Sequence, residues 1–188
     1  MSYILQDEYN PRATLLFANY PFTAIGKTYT KRAQEFLASS SYALKRVGMR
    51  LSADSFPKTI TMKLYDNSFS VLASKDVTIS ETGWAYVDFD SEVNISSGSS
   101  YSVGVDAPGS GYVGVAYNNT VEAAYADGNH WIYNSTDALW VEGPAVNDSP
   151  LRTYSQYVFS PPTPSGLNAM KTIKRLVCAA ANKIWYES

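Results

Sequence analysis

The sequence has one cysteine, one histidine, no long apolar run and little charge. A lone Cys178 excludes an internal disulfide and a thiolate-rich metal site. Its setting, Leu176-Val177-Cys178-Ala179-Ala180, is that of a buried, inert thiol. His130 is the one imidazole available as a base, and no serine stands in a Gly-x-Ser-x-Gly elbow, so nucleophilic catalysis has little to work with. No stretch approaches the ~20 apolar residues that span a bilayer. The opening Met1-Ser2-Tyr3-Ile4-Leu5-Gln6-Asp7-Glu8 lacks the basic and apolar regions of a signal peptide, which predicts synthesis in a cytoplasm and no membrane partner. Charged residues make up 17% of the chain, against a usual figure of about 25%. The net charge is −2, and the basic clusters Lys31-Arg32 and Lys171 to Arg175 are too small to neutralise a row of phosphates. Nucleic acid is therefore not an expected partner.

The 188 residues suffice for one domain with a sizeable core plus an appendage. Fifteen tyrosines and four tryptophans favour pleated, half-buried surfaces. From residue 40 to 160 short segments alternate with period two. Val47, Met49 and Leu51 are one such set, and Ile60, Met62 and Leu64 a second. Ala85, Val87 and Phe89 alternate with Trp84, Tyr86 and Asp88; Tyr101, Val103 and Val105 alternate with Ser102, Gly104 and Asp106. Period two places one set against a core and the other outside. Turn formers separate them: Phe56-Pro57, Asp66-Asn67-Ser68, Glu81-Thr82-Gly83, Ser97-Gly98-Ser99, Pro108 to Gly111 and Asp127-Gly128-Asn129. Asp127-Gly128, between Tyr125 and Trp131, reads as a hairpin. The spacing predicts an all-β fold, an antiparallel sandwich over residues 31–160.

The ends differ from the middle. Residues 1–30 read as an irregular N-terminal lead-in with one strand near Ala13 to Asn19. Residues 161–166 form a stiff Pro-rich linker, because successive prolines fix φ and remove donors. Residues 167–188 form a short C-terminal arm carrying Ile173, Leu176, Val177, Ile184, Trp185 and Tyr186. So small a segment cannot bury that surface by itself, and it is expected to pack on the sandwich or on another molecule.

Two constellations suggest recognition or binding. Trp131, Tyr133 and Trp140 cluster with Asn134 and Asp137, the combination that stacks a sugar ring on an indole and bonds its hydroxyls; core packing is the competing use of such rings. Asp88, Asp90, Asp106, Asp127 and Asp148 are candidate oxygen ligands for a structural calcium, although no Asp-x-Asp-x-Asp-Gly loop is present; no other cofactor is expected. For glycoside hydrolysis Asp88 with Asp90, or Glu142 with Asp148, would have to converge across a groove.

From Phe36 to Phe159 the order of features resembles a jelly-roll-like sandwich of carbohydrate-binding modules and of phage and bacterial surface proteins. The residues that carry the resemblance are Gln34 to Leu44, Thr59 to Asp66, Gly83 to Phe89, Ser97 to Val105, the segment Tyr125 to Tyr133, and Arg152 to Phe159. Thr172 to Val177 and Asn182 to Glu187 look like segments of phage structural proteins. The resemblance implies a non-enzymatic virion subunit, a capsid decoration or tail protein, with copies of itself and other virion proteins as partners. Its alternative is a module that binds host surface glycans.

Overall fold

The computed structural model describes residues 2–9, 16–24, 26–117, 128–143 and 148–156. They form thirteen strands: β1 (Tyr3–Tyr9), β2 (Leu16–Tyr20), β3 (Phe22–Ala24), β4 (Lys27–Leu37), β5 (Tyr42–Ala53), β6 (Lys58–Tyr65), β7 (Val71–Ile79), β8 (Gly83–Ile95), β9 (Ser100–Asp106), β10 (Val113–Tyr117), β11 (His130–Asn134), β12 (Leu139–Glu142) and β13 (Leu151–Gln156). All pairings are antiparallel. Two sheets pack face to face as a sandwich, consistent with a jelly-roll-like fold. No helix among the described residues is long and apolar enough to cross a membrane.

Sheet A is built around β5, a twelve-residue strand that serves three neighbours. One edge pairs with β8 from Tyr42 to Leu51. The other is shared: β13 takes Leu44 to Met49, and β10 takes Leu51 to Ala53. β1 extends the β13 side and β2 the β10 side. Sheet B runs β12-β11-β4-β9-β6-β7, with β3 folded back on the start of β4.

The alternating sets read from the sequence meet between the sheets. Val47, Met49 and Leu51 of β5, Ile60, Met62 and Leu64 of β6, Val87 and Phe89 of β8, and Val103 and Val105 of β9 are all buried there with Phe36 and Leu44. Burying such side chains contributes about 1.5–3 kcal/mol each, before the entropy of ordering the chain opposes it.

The first thirty residues correct the expectation of an irregular lead-in. They supply β1, β2, β3 and the start of β4, and these strands belong to both sheets. Their inward residues include Asp7, Tyr20, Arg32 and Gln34, so no apolar alternation betrays them. The Asp7 carboxylate accepts from the Ser39 amide and hydroxyl and from Tyr42, which fastens β1. Arg32 donates to Ser149 and Tyr20, and Gln34 takes the Ser149 amide at 2.6 Å. Buried polar groups are tolerated when bonded in this way. Of the hairpin expected at Asp127-Gly128, Asp127 and the arm before it lie outside the described residues. Both edges of β11 are taken by β4 and β12, so its hairpin turn is the segment 135–138. The Pro-rich linker and the arm residues Ile173, Leu176, Val177, Ile184, Trp185 and Tyr186 lie outside the described residues.

Candidate functional site

Outward-facing residues of sheet B align in rows across the strands. One row runs Trp140, Tyr133, Lys31, Asp106, Thr61; the next runs Glu142, Trp131, Ala33, Gly104, Lys63. Ala33 and Gly104 leave a trough in the middle of the face, and the Tyr65 ring lies across it. A Cβ on Gly104 would stand 3.1 Å from that ring, 3.0 Å from the Ala33 Cβ and 2.8 Å from the Arg32 carbonyl oxygen.

A fifth ring joins from the β6–β7 turn. Asp66 Oδ1 accepts from the amides of Ser68 and Ser70, both at 2.9 Å, and from the Ser68 hydroxyl. Those donors, the hydroxyl foremost, hold the Asp66 carboxyl below its ordinary range. The turn places Phe69 at φ 62°, a left-handed conformation unusual for an aromatic residue. Its ring stacks on Trp140 at 4.5 Å and 14° and meets Trp131 edge-on at 5.1 Å. Tyr65 and Tyr133 each approach Trp140 edge-on at 5.4 Å. Such pairs add about 0.5–1.5 kcal/mol beyond the area they bury.

Of the sequence-predicted glycan residues, Trp131, Tyr133 and Trp140 therefore come together, half-buried, on one face. Asn134 and Asp137 sit at the end of it in a structural role. Asn134 is buried, accepts from the Thr136 and Asp137 amides, and donates to the Asp137 carboxylate at 2.7 Å. Asp137 also pairs with Lys27, whose ammonium holds its carboxyl below the ordinary range. The residues that composition did not single out are Phe69, Tyr65 and Glu35. Glu35 accepts the Trp131 indole N–H at 3.1 Å and shares a recess of about 20 Å³, room for about one water, with Asp66, Asn67 and Phe69. The Asx-turn pattern Asp66-Asn67-Ser68 was the one available signal for Phe69.

The outer face of sheet A carries a second aromatic layer. Arg46 lies 3.9 Å over the Tyr3 ring and is bidentate to Asp88, at 2.6 and 3.0 Å. Arg152 lies 4.2 Å over Trp84, bonds Glu8 and donates to the Tyr86 hydroxyl at 2.8 Å. Trp84 and Tyr86 stack at 5.9 Å, and the Tyr86 ring rests on Gly48, where a Cβ would come within 2.6 Å of it. Asp88 is held below the ordinary carboxylate range, chiefly by Arg46.

His130 is buried on the inward side of β11. Loss of hydration, with Arg32 nearby, pushes it down to about 3. It is a neutral core group at physiological pH, shielded from any substrate. The carboxylates considered for calcium or glycoside cleavage are dispersed. Asp88 pairs with Arg46, Asp90 with Lys75, and Asp106 with Lys63 and Lys31, while Asp148 is buried beside Gln34. Asp127 lies outside the described residues. Among the described residues no three His, Cys, Asp or Glu side chains gather closely enough to hold a metal ion.

Comparison with protein-family models and with curated proteins found no match.

Proposed function

We propose that this chain is a non-enzymatic structural subunit of a phage-like virion, a capsid decoration or tail-associated protein. Its sandwich faces outward, and its terminal segments are gripped by copies of itself and by other virion proteins. The observation that carries the reading is where the apolar surface lies. The large exposed hydrophobic side chains include Ile4 and Leu5 on β1, Leu16 on β2, Val71 and Leu72 on β7, and Leu139 on β12. Those four strands end the sheets as described. Free-standing sandwiches protect such edges with lysine, proline or bulges, because an apolar edge recruits other chains. Here a register shift in β1 and Lys75 in β7 leave these apolar side chains exposed all the same, which suits a subunit that touches neighbours. The apolar arm beyond the Pro-rich linker supports the same reading from the sequence.

Deleting residues 161–188 tests it. The truncated chain is expected to keep its cooperative unfolding and to be lost from purified particles; normal incorporation of the truncated chain would overturn the role of the arm.

A second reading, a module for host surface glycans, is favoured by the half-exposed rings Trp131, Tyr133 and Trp140. Trp131→Ala and Trp140→Ala are then expected to remove binding on a glycan array while the fold persists. Unchanged binding by both variants would dismiss that face.

A further inference from the structure

The chain leaves sheet B at the end of β7 and enters sheet A at the start of β8, turning through residues 80–82. Beside this corner lies a cleft of about 240 Å³ lined by Val77, Thr78, Ser80, Glu81, Trp84 and Tyr86 among others. We propose that it is a binding site for a single ring of a neutral saccharide.

Size is the first argument. Sites for drug-sized molecules run from about 300 to 1,000 Å³, so this one suits a smaller guest. Its wall is the second. Trp84 and Tyr86 both line it, their ring planes within 16° of each other and their centroids 5.9 Å apart, and the ring surface they leave to the cleft suits the C–H face of a sugar. That wall is held in advance: Arg152 lies over Trp84 and bonds the Tyr86 hydroxyl, Glu8 fixes Arg152, and Gly48 gives Tyr86 its seat. A site fixed before binding loses little entropy when the guest arrives.

Hydroxyl recognition is the third argument. Asp66, Asp88, Asp90 and Asp137 all spend their oxygens on neighbours within the chain. Glu81 does not: it is exposed and, among the described residues, makes no ion pair or side-chain hydrogen bond, and neither does the exposed Ser80 hydroxyl beside it. A carboxylate and a hydroxyl at the mouth of a ring-walled cleft match the hydroxyls of a sugar. Glu81 is the charged group in the lining and repels acidic sugars, which selects a neutral one. The inference deepens the glycan reading while moving the sugar from Trp131 and Trp140 to Trp84.

The full chain, isotopically labelled, can be titrated with glucose, galactose, mannose and N-acetylglucosamine while its amide and indole resonances are followed. Millimolar binding is expected for at least one sugar, with shifts at the Trp84 indole and at the Ser80 and Glu81 amides. Glu81→Ala, an exposed change that leaves the fold alone, should weaken that binding by about tenfold, the worth of one charge-assisted hydrogen bond. Trp84→Ala should abolish it, and Trp131→Ala should leave it intact. Shifts confined to Trp131 and Trp140 would overturn this site and support the other face. Silence at the cleft with all four sugars would overturn it too, as would response there to an extended peptide alone. None of these outcomes bears on incorporation into particles, so the two proposals fail separately.

Discussion

The two outer faces solve one problem with different chemistry. Each strips a central strand position to glycine, Gly48 in sheet A and Gly104 in sheet B, and lays a tyrosine across the gap. Above that, sheet A interleaves rings with guanidinium planes, each tied to a carboxylate: Arg46 to Asp88 and Arg152 to Glu8. Sheet B packs ring against ring, and the cation it adds is an ammonium, Lys31 Nζ standing over the Tyr133 ring at 4.7 Å. Arginine permits the first arrangement because its flat, weakly hydrated fork stacks and bonds at once, whereas an ammonium holds its water. A laminated face keeps donors turned outward, and a face of rings alone hides much of its own area.

The sharpest way to break this comparison is to put a methyl under each ring. Gly104→Ala meets backbone and a neighbouring strand, the Arg32 carbonyl at 2.8 Å, and neither can yield, so a loss of about 3 kcal/mol is expected in denaturant melts. Gly48→Ala collides with a side chain rather than backbone, the Tyr86 ring at 2.6 Å, and should cost about 1–2 kcal/mol. The reverse order would mean that the laminated face is the stiffer one.

Acid separates the faces next. His130, under the ring-packed face, titrates near 3 in the folded chain and at ~6.5 when unfolded. Its depressed value means that the stability it supports is complete above ~6.5 and falls as pH drops toward 3, by about 1.4 kcal/mol per unit. Between pH 6.5 and 4.5 the loss should be about 2–3 kcal/mol, and His130→Gln should flatten that slope. Asp88 on the laminated face is depressed from the ordinary carboxylate value of ~3.9, so its contribution survives until the pH falls below that range. Alkali reaches the ring-packed face again. Burial, with Asp106 beside it, raises the Tyr65 phenol, so stability held below pH ~10 declines above it, and Tyr65→Phe should remove that decline.

A smaller effect tests the laminate. Arg46→Lys keeps the charge but forfeits the fork and the stack, and should cost about 1 kcal/mol, seen as a lowered midpoint at unchanged slope. Smallest is a gain. Ala138, in the β11–β12 turn, sits at φ 55°, and Ala138→Gly should stabilise the chain by up to about 1 kcal/mol.

The sandwich was legible where one side of a strand is apolar and the other is not, as in β5, β6, β8 and β9. A strand was legible near β2, expected from Ala13 to Asn19 and found at Leu16–Tyr20, but β1 and β4 were illegible: their inward positions include Asp7, Arg32 and Gln34, and polar groups satisfied by distant partners leave no periodic trace. Trp131, Tyr133 and Trp140 could be grouped because they are close in sequence. Phe69 and Glu35 could not: the register of β4 against β11 brings Glu35 beside Trp131, and that of β4 against β9 and β9 against β6 brings the Phe69 turn there. For the same reason Arg46 and Arg152 gave no hint of Tyr3 and Trp84: their meeting depends on pairings across more than 40 residues. The exposed turn carboxylate Glu81 looked like any other loop residue; what distinguishes it is its place beside Trp84 and Tyr86 in the lining of the cleft.

The pairing of Tyr3 with Gln156 places the first and last described strands side by side, antiparallel, with those two residues at the same end. Tension applied through residues 3 and 156 would therefore open β1 from β13 like a zip, one rung at a time, which is the weak direction of any sheet. Holding both strands by that shared end from a single anchorage puts no load across the seam. A molecule wired in this way withstands drag best when it is moored at one point.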